Sequence, residues 1–277
     1  VRALRTLAVA CLAAGALTAC SSSGSGGGST EAKGGSSASA SAEGAGAGKG
    51  GTKLAPKEAL LASAVVMEKA GSAKLSLEGV DVKGSIDYVW KDPGSFLMNT
   101  TEEGQEVKVL FADGQMYVGA TPDMAAAAKG RKWMVIDASD SSDEAASITA
   151  TMQAMNPGVQ LAAAAPTATL VGTETVAGQS TTHYRSEIKA EDLVAKMKIE
   201  GALKDQVLTE IKKDGATVVT ELWINGKGEL VQQSVIDPSA DAGGKPATVT
   251  YGGLGTVKVT PAPGPDEVFK LGDLLQQ

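Results

Sequence analysis

The sequence offers a single imidazole. His183, in the stretch TTHYR, is the sole histidine, so a histidine-based metal site would lack partners and a Ser-His-Asp triad would have one candidate base. It falls on the same parity of a predicted strand as Arg185 and Glu187, opposite Thr182, Tyr184 and Ile188, the place of a solvated or structurally hydrogen-bonded histidine. No GxSxG elbow, HExxH pair or calcium-loop spacing is present. The acidic run Asp137, Asp140, Asp143 and Glu144 could hold calcium weakly, yet ASDSSDE lacks the glycine and the spacing of a calcium loop and reads as a solvated loop opening a helix. Gly46, Gly48 and Gly51 match GxGxxG without following a strand or opening a helix, and Gly50 stands where a P-loop needs Ser or Thr. These residues predict no enzyme, no catalytic group, no metal and no cofactor.

Chemistry is better placed at Cys20. Arg2 and Arg5 precede an apolar run from Leu7 to Leu17 and then small residues, which is the order of an export signal; the run is shorter than the roughly 20 residues a membrane-spanning helix needs. Leu17-Thr18-Ala19-Cys20 resembles the bacterial lipobox, in which a diacylglycerol thioether forms on the cysteine sulfur before cleavage on its amino side. The expectation is a signal peptide over residues 1–19, with Val1 read as a literally translated alternative start codon, and lipidation at Cys20 by acyl chains such as palmitate. Cys11 leaves with the signal, so no free thiol remains for disulfides, thiolate metal sites or nucleophilic catalysis. One acyl chain binds membranes marginally and two bind stably, which places the protein at the cell membrane, lipid-anchored on the extracytoplasmic face.

Residues 20–53 read as the lipidated cysteine and a tether. Gly, Ser and Ala fill 26 of the 33 positions after Cys20, leaving almost nothing to bury, and a coil of that length reaches roughly 30 Å. Residues 54–277 are long enough for one sizeable domain. Loss of Arg2 and Arg5 with the signal takes the net charge from −7 to −9. That acidity argues against nucleic acid and against a polybasic headgroup site. With 4% aromatic residues, any apolar cavity would have mostly aliphatic walls.

The domain opens with a predicted helix from Pro56, carrying Leu60, Leu61, Ala64, Val65 and Met67 and ended by Gly71. The period then changes to two: in VDVKGSIDYVW, Val80, Val82, Ile86, Tyr88 and Trp90 alternate with polar residues, as in an antiparallel sheet with one wet face. Short strands recur around 75–77, 96–100, 106–111, 116–118 and 133–136, and again over 169–176, 181–188, 217–224, 229–236, 248–251 and 257–259. Helices are predicted over Asp143–Met155, stopped by Asn156-Pro157-Gly158, and over Ala190–Lys213, where Gly201 can break the run. The Pro/Ala-rich segment Leu161–Pro166 could divide two domains, but neither half would bury its sheet well. The fold class predicted is α+β: one large curved antiparallel sheet, a half-open β-barrel of about eleven strands, covering a few amphipathic helices.

The order of tether, helix, meander, Met-bearing helix and second meander resembles the LppX/LprA/LprF/LprG lipoproteins of actinobacteria, which share the lipoprotein-carrier fold of LolA and LolB. The stretches that carry the resemblance are GTETVAGQSTTHYRSEI (Gly172 to Ile188), ELWIN (Glu221 to Asn225), Lys245-Pro246 before a strand, and PAPGPDEVFKL from Pro261. Ala177 departs from the pattern at a turn position where an acidic residue is expected.

The resemblance implies a concave apolar face that accepts the acyl chains of lipids, lipoglycans or acylated lipoproteins, with a lipid or acylated glycolipid as the expected ligand, in a carrier cycle without covalent chemistry. On that reading Val82, Ile86, Tyr88 and Trp90 form one wall, Val109 and Phe111 its neighbour, Leu222 and Ile224 the opposite wall, and Met152 and Met155 a deformable lid. Alternation tells which side is dry and not whether it is empty, so these residues equally suit a closed core. The alternative function is a non-enzymatic partner-binding or sensor-accessory module with a collapsed cavity, meeting a membrane transporter or sensor. The chain is expected to act as a monomer.

Overall fold

The computed structural model describes residues 54–79, 83–102, 105–136, 152–213, 217–236 and 246–274. Cys20, Val82 and the acidic run from Asp137 to Glu144 lie outside them.

The first helix, α1 (Pro56–Ala70), starts with Pro56 in its first turn and ends at Gly71, whose φ of 72° closes the C-terminus in the left-handed region. It buries Leu60, Ser63 and Met67. Six strands follow: β1 (Ser72–Glu78), β2 (Lys83–Val89), β3 (Ser95–Glu102), β4 (Gln105–Ala112), β5 (Gln115–Gly119) and β6 (Trp133–Ile136), with a short helix α2 (Pro122–Ala127) before the last. They pair in sequence order as an antiparallel meander. Residues 152–155 are helical, and α3 (Pro157–Ala164) with a 3-10 turn (Ala165–Thr167) leads to β7 (Thr169–Val176) and β8 (Gln179–Lys189). Then come α4 (Ala190–Lys196), α5 (Ala202–Lys213), β9 (Thr217–Asn225), β10 (Leu230–Ile236), β11 (Ala247–Gly252), β12 (Val268–Phe269) and α6 (Leu271–Leu274).

All twelve strands form one sheet in the order β12-β6-β5-β4-β3-β2-β1-β11-β10-β9-β8-β7. The two meanders are joined where β11 pairs with β1, Leu75 opposite Tyr251 and Leu77 opposite Val249. Among the described residues the order is open, ending on β7 at one edge. Ile86 and Tyr88 of β2, Val109 of β4, Tyr184 of β8 and Leu222 of β9 nevertheless share one buried cluster with Leu60 of α1 and Leu161 of α3. Strands far apart in the order meet the same helices, so the sheet curves around them. This is the α+β curved-sheet architecture that the alternation predicts, with twelve strands.

One local expectation is corrected and two are refined. Val257–Val259 is not a strand; its alternation belongs to a strap along the other face of the sheet, where the Thr260 amide donates to Ser95 Oγ (3.2 Å) and Ala262 and Val268 pack on Leu110, Ala112 and Tyr117. The strap then adds Val268–Phe269 as a parallel strand beside Trp133–Met134. Asn156-Pro157-Gly158 ends one helical segment but also starts α3: Asn156 Oδ1 accepts from the amides of Gly158 (2.8 Å) and Val159 (3.4 Å), a cap made by the same residue types that break helices. Leu161–Pro166, weighed above as a domain boundary and set aside, lies largely in the core, with Leu161 and Ala164 fully buried. Small side chains here allow close packing of α3 against α1: a Cβ on Gly158 would come within 3.4 Å of the Ala64 carbonyl. Gly201, at φ 63°, does separate α4 from α5.

Candidate functional site: the concave face

The structure places the nominated residues as follows. Ile86, Tyr88, Val109, Met155, Leu222 and Ile224 are buried in the main cluster, and Trp90, Phe111 and Met152 pack against it half-buried. The Tyr88 hydroxyl donates to the Met152 carbonyl (2.9 Å), joining β2 to the helical residues 152–155. Trp90 ties wall to helix, its indole N–H donating to the Met67 carbonyl (3.0 Å) while its ring lies 5.4 Å from that of Tyr88. Val82 lies outside the described residues.

Two clefts open on this face, of about 410 and 350 Å³ counted to their mouths. Neither holds closed space for more than roughly one water molecule. The first runs between β8, β9, β10 and the helices α4 and α5, past Ile188, Leu193, Ile211 and Val218. The second lies over β1, β2 and β11, past Leu75, Leu77, Ile86, Met155 and Val249. Of the nominated residues, Ile86 and Met155 line a cleft; Leu222 is fully buried and lines neither.

Gln160, Gln233 and Val235 line both clefts and so form the partition between them. Pattern reading missed all three. Gln160 sits just before the Ala-rich stretch, in a segment assigned above to neither helix nor strand, and Gln233 on the inward parity of β10, opposite Leu222 and Val249, where an apolar residue is expected. The signal available in the sequence was that polar interruption of an otherwise aliphatic face.

On the opposite parity of β8, His183 is buried as a bridge between strands. Its Nδ1 lies 2.9 Å from Glu174 Oε1 and its Nε2 3.6 Å from Glu221 Oε2, its ring stacks on Trp223 at 4.3 Å, and the Trp223 indole donates to the same Glu174 oxygen (2.7 Å). Arg185 completes the row by donating to Glu221 (2.8 Å). The imidazole's neighbours are two carboxylates and an indole, an arrangement that couples β7, β8 and β9. Among the described residues no group of three or more His, Cys, Asp or Glu side chains is disposed to hold a metal.

Two phenols have raised pKa values. Burial pushes Tyr184 up, partly opposed by its hydrogen bond with Thr182; burial and then the charge of Asp113 push Tyr117 up. A phenol whose folded pKa exceeds its unfolded value favours the folded state fully below that unfolded value and loses the contribution as pH rises through the folded one. Stability should therefore decline above the ordinary tyrosine value of 10.0, and Tyr184→Phe should blunt the decline; urea midpoints measured on either side of that value check it, and an unchanged midpoint refutes it.

No family profile matches the sequence, and no curated protein matches it. Solved structures do. LprF from Mycobacterium bovis superposes with a TM-score of 0.50 at 15% identity, over 76% of this chain and 96% of that one. The chain shares the fold of LprF. The Mycobacterium tuberculosis lipoprotein LppX aligns with a TM-score of 0.43 at 17% identity over 70% of this chain and 94% of its own. MucB, in its complex with MucA, aligns with a TM-score of 0.34 at 11% identity over 76% of this chain and 60% of its own. At such identities the LprF likeness is one of fold, and it meets the resemblance drawn from the strand-turn-strand around His183. No helix among the described residues is long and apolar enough to cross a membrane.

Proposed function

We propose that this chain is a membrane-anchored extracytoplasmic lipoprotein that holds acyl chains of a lipid or lipoglycan against the concave face of its sheet and hands them on at the cell envelope without covalent chemistry. The observation that carries the reading is the pair of mainly aliphatic clefts that share the side chains of Gln160, Gln233 and Val235 as a common wall. Side-chain rotation there would join them into one groove, and each Å² of hydrocarbon taken from water gains about 25 cal/mol. Met155 beside the second cleft suits a wall that repacks around chains of different shape. Acylated Cys20 would supply the anchor and the tether the working radius.

The test is native mass spectrometry of the full chain recovered from membranes of its own host, followed by organic extraction. A non-covalent acylated species, additional to the covalent adduct on Cys20 and lost from the Ile86→Trp variant, is the expected result. A chain that is reproducibly free of such a species and takes up no added oleate overturns the reading.

A second reading has its own observation. The concave face is nearly filled by side chains, while Leu61 and Val65 of α1 and Leu170 and Val171 of the edge strand β7 are exposed. A partner-binding module with a closed core would look the same, and a ligand-free result in that experiment favours it.

A further inference from the structure

The partition between the clefts contains a buried acceptor with nothing to accept from. Gln160 is 6% exposed. Its Nε2 donates to the Ala154 carbonyl at 2.7 Å, and because a carbonyl can only accept, that contact fixes which end of the amide is which. Oε1 is left buried without a hydrogen-bond partner. Across the partition, the Gln233 amide oxygen already accepts from the Tyr251 hydroxyl at 3.5 Å. An unpaired buried acceptor is unfavourable and calls for a partner, which in folded proteins is a water, an ion or a ligand. Both clefts that reach Gln160 are otherwise walled mainly by aliphatic side chains, so the protein offers it no second donor there, and a ligand that fills the clefts displaces any water that would serve instead.

We infer that the acyl ligand of the concave face carries a neutral hydroxyl within its apolar part, and that Gln160 Oε1 accepts from it. The inference rests on the acyl-binding reading above and narrows its ligand class. A plain hydrocarbon segment would leave the oxygen unpaired, and an ionised carboxylate, which only accepts, would face it oxygen to oxygen. Two kinds of lipid present this chemistry: an acyl chain hydroxylated along its length, and an acylglycerol with a free hydroxyl.

The test uses the full chain as its Cys20→Ser variant, so that no covalent acyl group competes, with binding read from the fluorescence of Trp90 and its fellow indoles. Ricinoleate is compared with oleate, and dioleoylglycerol with its acetyl ester. The expected result is a preference of roughly five- to tenfold for the hydroxylated member of at least one pair. A preference confined to the first pair assigns the hydroxyl to the chain, and one confined to the second assigns it to glycerol. Gln160→Met, similar in length and without the acceptor, should lose the preference. Equal affinities within both pairs, or a preference that survives Gln160→Met, would sink the inference while leaving the acyl-binding reading in place; the matched pairs decide this on the unsubstituted partition even if Gln160→Met does not fold. Failure of all four lipids to bind removes both.

Discussion

Leu222→Ala should lower stability by about 2–5 kcal/mol and create a site that added lipid refills. Leu222 is fully buried on the inward parity of β9, opposite Tyr184 and Gln233, and truncation removes its contacts and leaves a void that neighbouring strands, fixed by their ladders, close only partly. In an ordinary core that loss is permanent. Here the void lies opposite Gln233, which lines both clefts, so an oleate chain that enters a cleft can extend into it, and a ligand at a hundred times its Kd restores about 2.7 kcal/mol. Urea unfolding with and without oleate makes the measurement. A midpoint that falls on truncation and recovers with oleate supports a face built to accept chains. One that falls and stays down, with the unsubstituted protein equally indifferent to oleate, identifies the face as closed core.

The second large effect is expected at Gly84. A Cβ at this position of β2 would stand 2.4 Å from the Asn99 carbonyl oxygen and 2.9 Å from Thr100 Cα. Both are backbone atoms of the neighbouring β3, held by the pairing of Gly84 with Thr100 and Ile86 with Met98, so neither can step aside. Glycine within a strand marks close backbone approach, and such positions let a sheet bend. Gly84→Ala should cost about 3 kcal/mol, at the upper end of overpacking effects, and Gly84→Val should prevent folding. Loss of the cooperative unfolding transition in the valine variant is the readout; a valine variant of normal stability would mean that β2 and β3 can separate freely and that their close approach does not set the curvature.

How much was legible beforehand follows from the range of the forces involved. Helix α1 was readable because a proline in the first turn, an apolar stripe and a terminal glycine act within a few residues of one another. The strands were readable because side chains alternate with a period of two wherever one face is dry, which is why Ile86, Tyr88, Val109, Leu222 and Ile224 all point inward as predicted. The same rule put His183 on the opposite parity, where it proves to be held by Glu174 and Trp223. Punctuation was less certain: Asn156-Pro157-Gly158 carries the same residues whether a helix ends or begins, and only the packing of α3 on α1 shows that it does both.

By itself, the sequence determined which residues avoid water, the alternation of strands and helices, and the acidic charge. These depend on neighbours along the chain. The tertiary structure alone decided that β11 closes onto β1, that the Ala-rich stretch after Asn156 is a core helix, that the C-terminal PAPGPDEVFKL segment straps the other face of the sheet, and that Gln160 meets Gln233 and Val235 between two clefts. Those features depend on residues dozens to more than a hundred positions apart, for which local pattern carries no register. Hydrophobic burial selects a side for each strand without naming the strand that will lie beside it; pairing and side-chain packing name it.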